Sequence, residues 1–329
     1  MAARVTERST PTNSSPGSSI CTRRRYFFII NRQSGNYGKW LVQMRVGEFL
    51  TTEGITGEVH YLVGTDMLKE RLSQACREGY RDFVVVGGDG SVSLVASLLR
   101  GRDCRIGIVP VGTSNTLAQV LGIPLGARRS LELLLAPDHT RAADGLDIGG
   151  RLHFLNVSAG LSSLSVSDLR TLEKSYLKVF AYVLAVIRSM RKAKIRRFTV
   201  TLDGETTTLD AAELFVDNVG VLGSPRYRTS NSEIDDGSAE VWFLRKGTPP
   251  ELGNALLDLV LLRKKRLSIQ FIARATTVSI DCAEKIPVQA DGDIIGHTPV
   301  DITVTRGVAR FIVPEGRGGG APPIPPDNT

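Results

Sequence analysis

The chain has 329 residues, 42% hydrophobic and 23% charged, which excludes a fibrous or wholly disordered protein and leaves room for two hydrophobic cores. A formal net charge of +7 and a pI near 9.4 favour anionic partners, whether phosphates, anionic lipid headgroups or nucleic acid, without choosing among them. Four cysteines (Cys21, Cys76, Cys104, Cys282) and four histidines (His60, His139, His153, His297) fall at no zinc, disulfide or other metal-ligand spacing, so we read idle reduced thiols of a cytosolic protein and incidental histidines.

Residues 1–24 are rich in Ser, Thr and Pro, lack the apolar core of a secretory signal, and are expected to form a disordered leader. From Arg25 to about Ile148, β-branched runs at Tyr26–Ile30, Glu58–Val63, Phe83–Val86 and Arg105–Val109 alternate with segments of helical spacing, such as Trp40, Leu41 and Met44 or Leu68, Leu72 and Ala75. That alternation predicts an α/β domain over 25–148 with a mainly parallel sheet, whose ligands gather at the carboxyl ends of the strands. A β-rich domain, expected to be a sandwich, follows over 149–314. It opens with a long helix, Leu172–Met190, and continues through strands at Phe198–Leu202, Glu213–Val216, Glu240–Leu244, Leu267–Phe271, Thr276–Ile280, Val300–Val304 and Ala309–Val313. Residues 315–329 read as a flexible tail. The longest apolar stretch, Tyr176–Ile187, holds Lys178 and falls short of the roughly 20 residues of a spanning helix, so no membrane crossing is expected.

Three turns follow predicted strands. In Phe83–Ser91 a buried run enters Gly87, Gly88, Asp89, Gly90 and Ser91 and then an apolar helix; glycines and a helix N-terminus suit a phosphate, and Asp89 suits Mg²⁺. The plain alternative is a tight turn with Asp89 or Ser91 as a cap. In Pro110–Asn115, Gly112 permits close backbone approach while Thr113 and Asn115 offer polar groups at a helix entrance. Asn31–Gly35, with Ser34 and Gly35, offers further polar contacts or an ordinary loop. No Gly-x4-Gly-Lys-Ser/Thr segment and no Gly-x-Gly-x-x-Gly fingerprint occurs. Basic residues trail two apolar segments, at Arg188, Arg191, Lys192, Lys194, Arg196 and Arg197 and at Arg263–Arg266; they suit an anionic lipid surface or simply charged helix ends.

Taken in order, Asn31–Gly35, Gly87–Ser91, Pro110–Asn115, Leu146-Asp147, Phe154–Gly160, Asp235-Asp236-Gly237 and Ala290–Asp293 resemble the diacylglycerol kinase catalytic family, over nearly the whole span from Arg25 to Pro314. The resemblance implies ATP and Mg²⁺ as cofactors, with Asn31, Ser34, Gly35, Thr65, Gly87, Gly88, Asp89, Gly90, Ser91, Gly112, Thr113 and Asn115 at the nucleotide. It implies Asp291 as the general base, although Asp-Gly between apolar runs is also a hairpin turn, as Asp203-Gly204 is read to be. It implies metal contacts from Asp89 and Asp147 and a structural Mg²⁺ at Glu233, Asp236 and Ser238. Two positions depart from the family pattern: Thr116 stands where Asp is usual and Leu94 where Glu is usual. The expected activity is transfer of the γ-phosphate of ATP-Mg²⁺ to a lipid hydroxyl, diacylglycerol first and a sphingoid base or other lipid alcohol next. A degenerate nucleotide or lipid binder and an NAD-kinase-like enzyme are the rivals. The expected setting is the cytoplasm, peripherally at a membrane, with no nucleic acid partner and self-association left open.

Overall fold

The computed structural model describes residues 24–32, 39–52, 55–160, 194–221, 230, 232–244 and 269–316. Residues 1–23 of the expected leader, Ser34 and Gly35, the expected helix at Leu172–Met190, the basic run at Arg263–Arg266 and nearly all of the tail lie outside them, while Arg24, placed in the leader, opens the first strand.

The first four strands, β1 (Arg24–Ile30), β2 (Ile55–Tyr61), β3 (Asp82–Gly87) and β4 (Arg105–Pro110), are parallel and stand in the order β2-β1-β3-β4. Helices cover both faces: α1 (Lys39–Leu50), α2 (Thr65–Arg77), α3 (Asp89–Leu98), α4 (Thr116–Val120) and α5 (Ala127–Leu133). Burial on both faces explains the unbroken apolar runs of β1 and β3. Phe27, Ile29, Phe83, Val85, Ile106 and Ile108 point to one core with Leu68, Leu72, Val92 and Val95. Tyr26, Phe28, Ile30, Val84 and Val86 point to the other with Val46, Phe49, Leu131 and Leu134. This is the period of two that strands impose.

Beyond α5 the chain forms β5 (Thr140–Ile148), β6 (Arg151–His153), β7 (Asn156–Gly160), β8 (Arg196–Leu202), β9 (Glu205–Ala211), β10 (Glu213–Asp217), β11 (Ala239–Leu244), β12 (Ile269–Ala275), β13 (Thr277–Cys282), β14 (Pro287–Ala290), β15 (Asp293–His297) and β16 (Val300–Ile312). An antiparallel six-stranded sheet runs β12-β11-β10-β7-β14-β15. It packs on β8, β13 and the start of β16 through Val157, Leu214, Val216, Val241 and Val288 on one side and Phe198, Val200, Val278, Ile280, Val300 and Ile302 on the other. The expected α/β domain with a parallel sheet and the β-sandwich are both present.

The 13-residue β16 belongs to both halves. Its start pairs with β13, its length with β5, and near its end Phe311 pairs parallel to Ile106 of β4. The expectation of two strands, Val300–Val304 and Ala309–Val313, is thus corrected to one. The register shift between Thr305 and Ala309, where Gly307 has φ +53°, is what broke the apolar pattern. Strand β2 begins and ends earlier than expected, leaving Leu62, Val63 and Gly64 in the loop before α2.

Candidate active site

The turns after β1, β3 and β4 meet at the carboxyl edge of the parallel sheet. The Asn31 amide donates from Nδ2 to Ser91 Oγ at 2.8 Å, and its backbone N–H donates to Val86. Val111 N–H donates to Gly87, and Asn115 clips its own turn through two bonds with Gly112. Gly88 and Gly112 lie backbone to backbone: a Cβ on Gly112 would stand 2.6 Å from the Gly88 Cα. These two glycines therefore fit the two turns against each other. Gly88 is also the N-cap of α3, and it brings no side-chain cap to that helix end, a setting suited to an anion.

Asp89 is committed to structure. Its carboxylate accepts the backbone N–H groups of Thr116 at 3.0 Å and Leu117 at 2.9 Å, capping α4 from the neighbouring turn. Burial raises its pKa above the ordinary carboxylate value, the two N–H bonds oppose that rise, and the nearby Asp291 charge adds to it. Thr116 is buried, and Leu94 packs against the N-terminal core. Thr113 is exposed beside Asn115 on the second turn, and Thr65 is exposed as the first residue of α2.

Asp291 stands at the tip of the β14–β15 hairpin, with φ +49° followed by Gly292 at φ +92°. Asp203 and Gly204 repeat those angles, +48° and +92°, in the β8–β9 hairpin. The side chain of Asp291, only 3% exposed, reaches into the interface between the two halves. Oδ2 accepts Ser93 Oγ from α3 and Phe154 N–H, both at 3.0 Å; Oδ1 accepts Leu155 N–H at 2.9 Å and Asn156 N–H at 3.2 Å. Four donors occupy the roughly four lone-pair positions of a carboxylate. His153 Nδ1 adds a contact at 3.7 Å. Burial pushes the Asp291 pKa up, but the neighbouring His153 and the backbone N–H groups of Phe154 and Leu155 outweigh it and hold the carboxyl below its usual range. Asp293, two residues on and exposed, places Oδ2 at 3.1 Å from where a Cβ on Gly90 would stand.

Ser93 and His153 went unrecognised in the sequence. Nothing local marks Ser93, and His153 was read as incidental although it abuts the Phe154–Asn156 segment that binds Asp291.

The expected metal residues each have protein partners. Asp147 pairs with Arg100 and accepts Gly150 N–H at the end of β5. Glu233 pairs with Arg141, and Asp236 is bonded within its own turn to Ser232, Glu233 and Ser238. Among the described residues no three His, Cys, Asp or Glu side chains are placed to hold a metal ion. For the nucleotide the fit is better, because the N-terminus of α3 and the glycine turns face one edge. Of the basic positions expected to meet lipid, Lys194 and Arg196 pair with Glu284 and Arg197 pairs with Asp210.

Glycine turns at the strand edge thus face a carboxylate-bearing hairpin from the second half, and comparison with known proteins gives the class of protein that has this architecture. The diacylglycerol kinase catalytic domain model matches residues 25–147, and the YegS C-terminal NAD kinase β-sandwich-like domain model matches residues 156–313. A "Probable lipid kinase YegS-like" of Pseudomonas aeruginosa is 26% identical over 248 residues, 74% of this chain and 80% of that protein. The diacylglycerol kinase of Bacillus subtilis is 26% identical over 227 residues, 66% and 72% of the two chains. That of Mycobacterium tuberculosis is 26% identical over 265 residues, 78% and 85%. A crystal structure of a diacylglycerol kinase from Bacillus anthracis superposes with a TM-score of 0.67 at 19% identity, covering 89% of this chain and 98% of that one. The chain carries a diacylglycerol kinase catalytic domain over residues 25–147, and it is a kinase whose phosphoryl acceptor is an alcohol.

Proposed function

We propose that this kinase transfers the γ-phosphate of ATP-Mg²⁺ to a lipid hydroxyl, with diacylglycerol as the first acceptor and a sphingoid base or other lipid alcohol as the next. The observation that carries the reading is the meeting of the Asn31, Gly87–Ser91 and Gly112–Asn115 turns with the Asp291–Asp293 hairpin, which brings a phosphate cradle and a carboxylate to one edge. Bound ATP-Mg²⁺ supplies the transferable phosphoryl group and the charge that offsets its oxygens. The chain's own residues position it: Gly88, Gly90 and Ser91 at the start of α3 receive phosphate, Asn31 holds Ser91, and Asp89 fixes the second turn. Ser34, Gly35, Thr65, Thr113 and Asn115 complete the nucleotide site, and Asp89 and Asp147 are the carboxylates nearest in sequence role to the metal.

In the transfer, a bond forms between the acceptor oxygen and the γ-phosphorus as the bond to the leaving ADP oxygen breaks. The acceptor proton must leave. In this reading Asp291, with its lone pairs used and its pKa lowered, is a positioning residue that fixes the hairpin tip, and the Asp293 carboxylate over Gly90 takes the proton. A lipid acceptor is met at a membrane surface, and the net charge of +7 favours an anionic one. Among the described residues no helix is long and apolar enough to cross a membrane.

The experiment is transfer of ³²P from γ-labelled ATP-Mg²⁺ to diacylglycerol, sphingosine, ceramide and NAD offered separately, the lipids in mixed micelles. Labelled diacylglycerol is the expected product. Labelled NAD alone would replace the reading by a soluble-acceptor kinase, and ATP binding with no labelled acceptor would favour a binder in which Thr116 and Leu94 have cost the chemistry.

A further inference from the structure

We infer that the Arg141 guanidinium is the built-in cation of the Ser232–Ser238 turn, so that this turn folds without any divalent ion. The turn carries Glu233, Asp235 and Asp236 within four residues, and such a density of carboxylates needs positive charge close by. Arg141 supplies it from β5. Its side chain is only 4% exposed, and its Nε and Nη2 donate to Asp235 at 3.2 and 2.7 Å while Nη2 also donates to Glu233. A buried guanidinium without partners would be expelled; a forked pair of this geometry holds it in place.

The third carboxylate has no capacity left for a metal. Asp236 Oδ2 accepts Ser232 Oγ at 3.0 Å and Glu233 N–H at 3.2 Å; Oδ1 accepts Ser238 N–H and Oγ, both at 3.0 Å. Four donors fill its lone pairs, which leaves none for the near-octahedral oxygen set that Mg²⁺ demands. Two further arginines close round the turn. Arg274 lies 3.6 Å from Asp236 Oδ2, and Arg306 packs so closely on Gly237 that a Cβ there would fall on its guanidinium. Asp144, three residues along β5 from Arg141, takes Gly237 N–H at 2.5 Å and Gly307 N–H at 2.7 Å, tying the turn to β16. The turn is therefore held by guanidinium, amide and hydroxyl donors.

The test uses the full chain without nucleotide. Thermal unfolding is compared in EDTA and in millimolar Mg²⁺, and Mn²⁺ binding is counted by electron paramagnetic resonance. The expected result is the same Tm in both media and no tight Mn²⁺. Arg141→Met is expected to lower Tm by about 5 °C or more, because Glu233 and Asp235 lose their buried counter-charge, and Mg²⁺ is expected to restore part of the loss. A native chain that gains stability from Mg²⁺, or that binds one Mn²⁺ tightly and loses it in Glu233→Gln, would overturn the inference. If Arg141→Met does not fold, the measurements on the native chain still decide. None of these readouts depends on the acceptor or on turnover, so the inference stands or falls separately from the kinase reaction.

Discussion

Asp203 and Asp291 occupy the same turn geometry and use it to different ends. Each follows an apolar strand, precedes Gly and adopts positive φ. Asp203 takes the N–H and hydroxyl groups of Thr276 and Thr277 at an exposed corner. Asp291 takes donors from α3 and from the β6–β7 corner in the interior. Removing the Asp291 carboxylate strands three buried N–H groups, each costing about 1–3 kcal/mol. Asp291→Ala is accordingly expected to lower Tm markedly along with activity. Asp293→Asn is expected to lower kcat about 10²–10⁴-fold with Tm unchanged, which calorimetry beside the kinase assay will separate. A second residue-scale prediction concerns Asp217, fully buried in β10, whose Oδ2 has no hydrogen-bond partner. Burial pushes its pKa up to about 7, against the bond from Val219 N–H. A carboxyl with a raised folded pKa favours the fold while protonated; its contribution is intact below the unfolded value of about 4 and is lost as pH rises toward 7. Chemical denaturation of native protein should therefore show stability falling between those limits through this group. Asp217→Asn should flatten that slope.

At the scale of elements, the two glycine turns behave as one unit because β3 and β4 are neighbours and Asp89 caps the helix that follows β4. Gly112→Ala would press a methyl into the Gly88 backbone; a loss of about 1–3 kcal/mol is expected, with weaker ATP binding measurable by titration calorimetry. The parallel strands were legible in the sequence because burial on both faces leaves continuous runs such as Phe83–Val86. Strand β5 was not, since it carries Asp144, Gly145 and Asp147, residues poor in strand preference; Asp144 is tolerated only because Gly237 and Gly307 donate to it from far along the chain. The site was legible as an ordered set of turns. Which donors hold Asp291 was not, because they lie 135 to 198 residues away in sequence and no local pattern encodes them.

For the whole molecule, β16 decides that the two halves stand together. The last strand of the β-rich half extends the parallel sheet, and Phe311 packs edge-on against Phe154 with ring centroids 5.4 Å apart, both fully buried. Phe311→Ala should cost about 3–5 kcal/mol and lower one shared unfolding transition seen by calorimetry. Two separate transitions would mean that the halves are independent. In the proposed reaction this linkage matters, because the hairpin that carries Asp293 belongs to one half and the turn that carries Gly90 to the other. The most direct test of that claim is the initial rate of ³²P transfer from γ-labelled ATP-Mg²⁺ to diacylglycerol, in native protein and in Asp293→Asn of equal Tm. Labelled lipid from the native chain with a loss of about 10²-fold or more in the variant is the predicted result; equal rates, or no labelled lipid from folded, ATP-binding native protein, would contradict it.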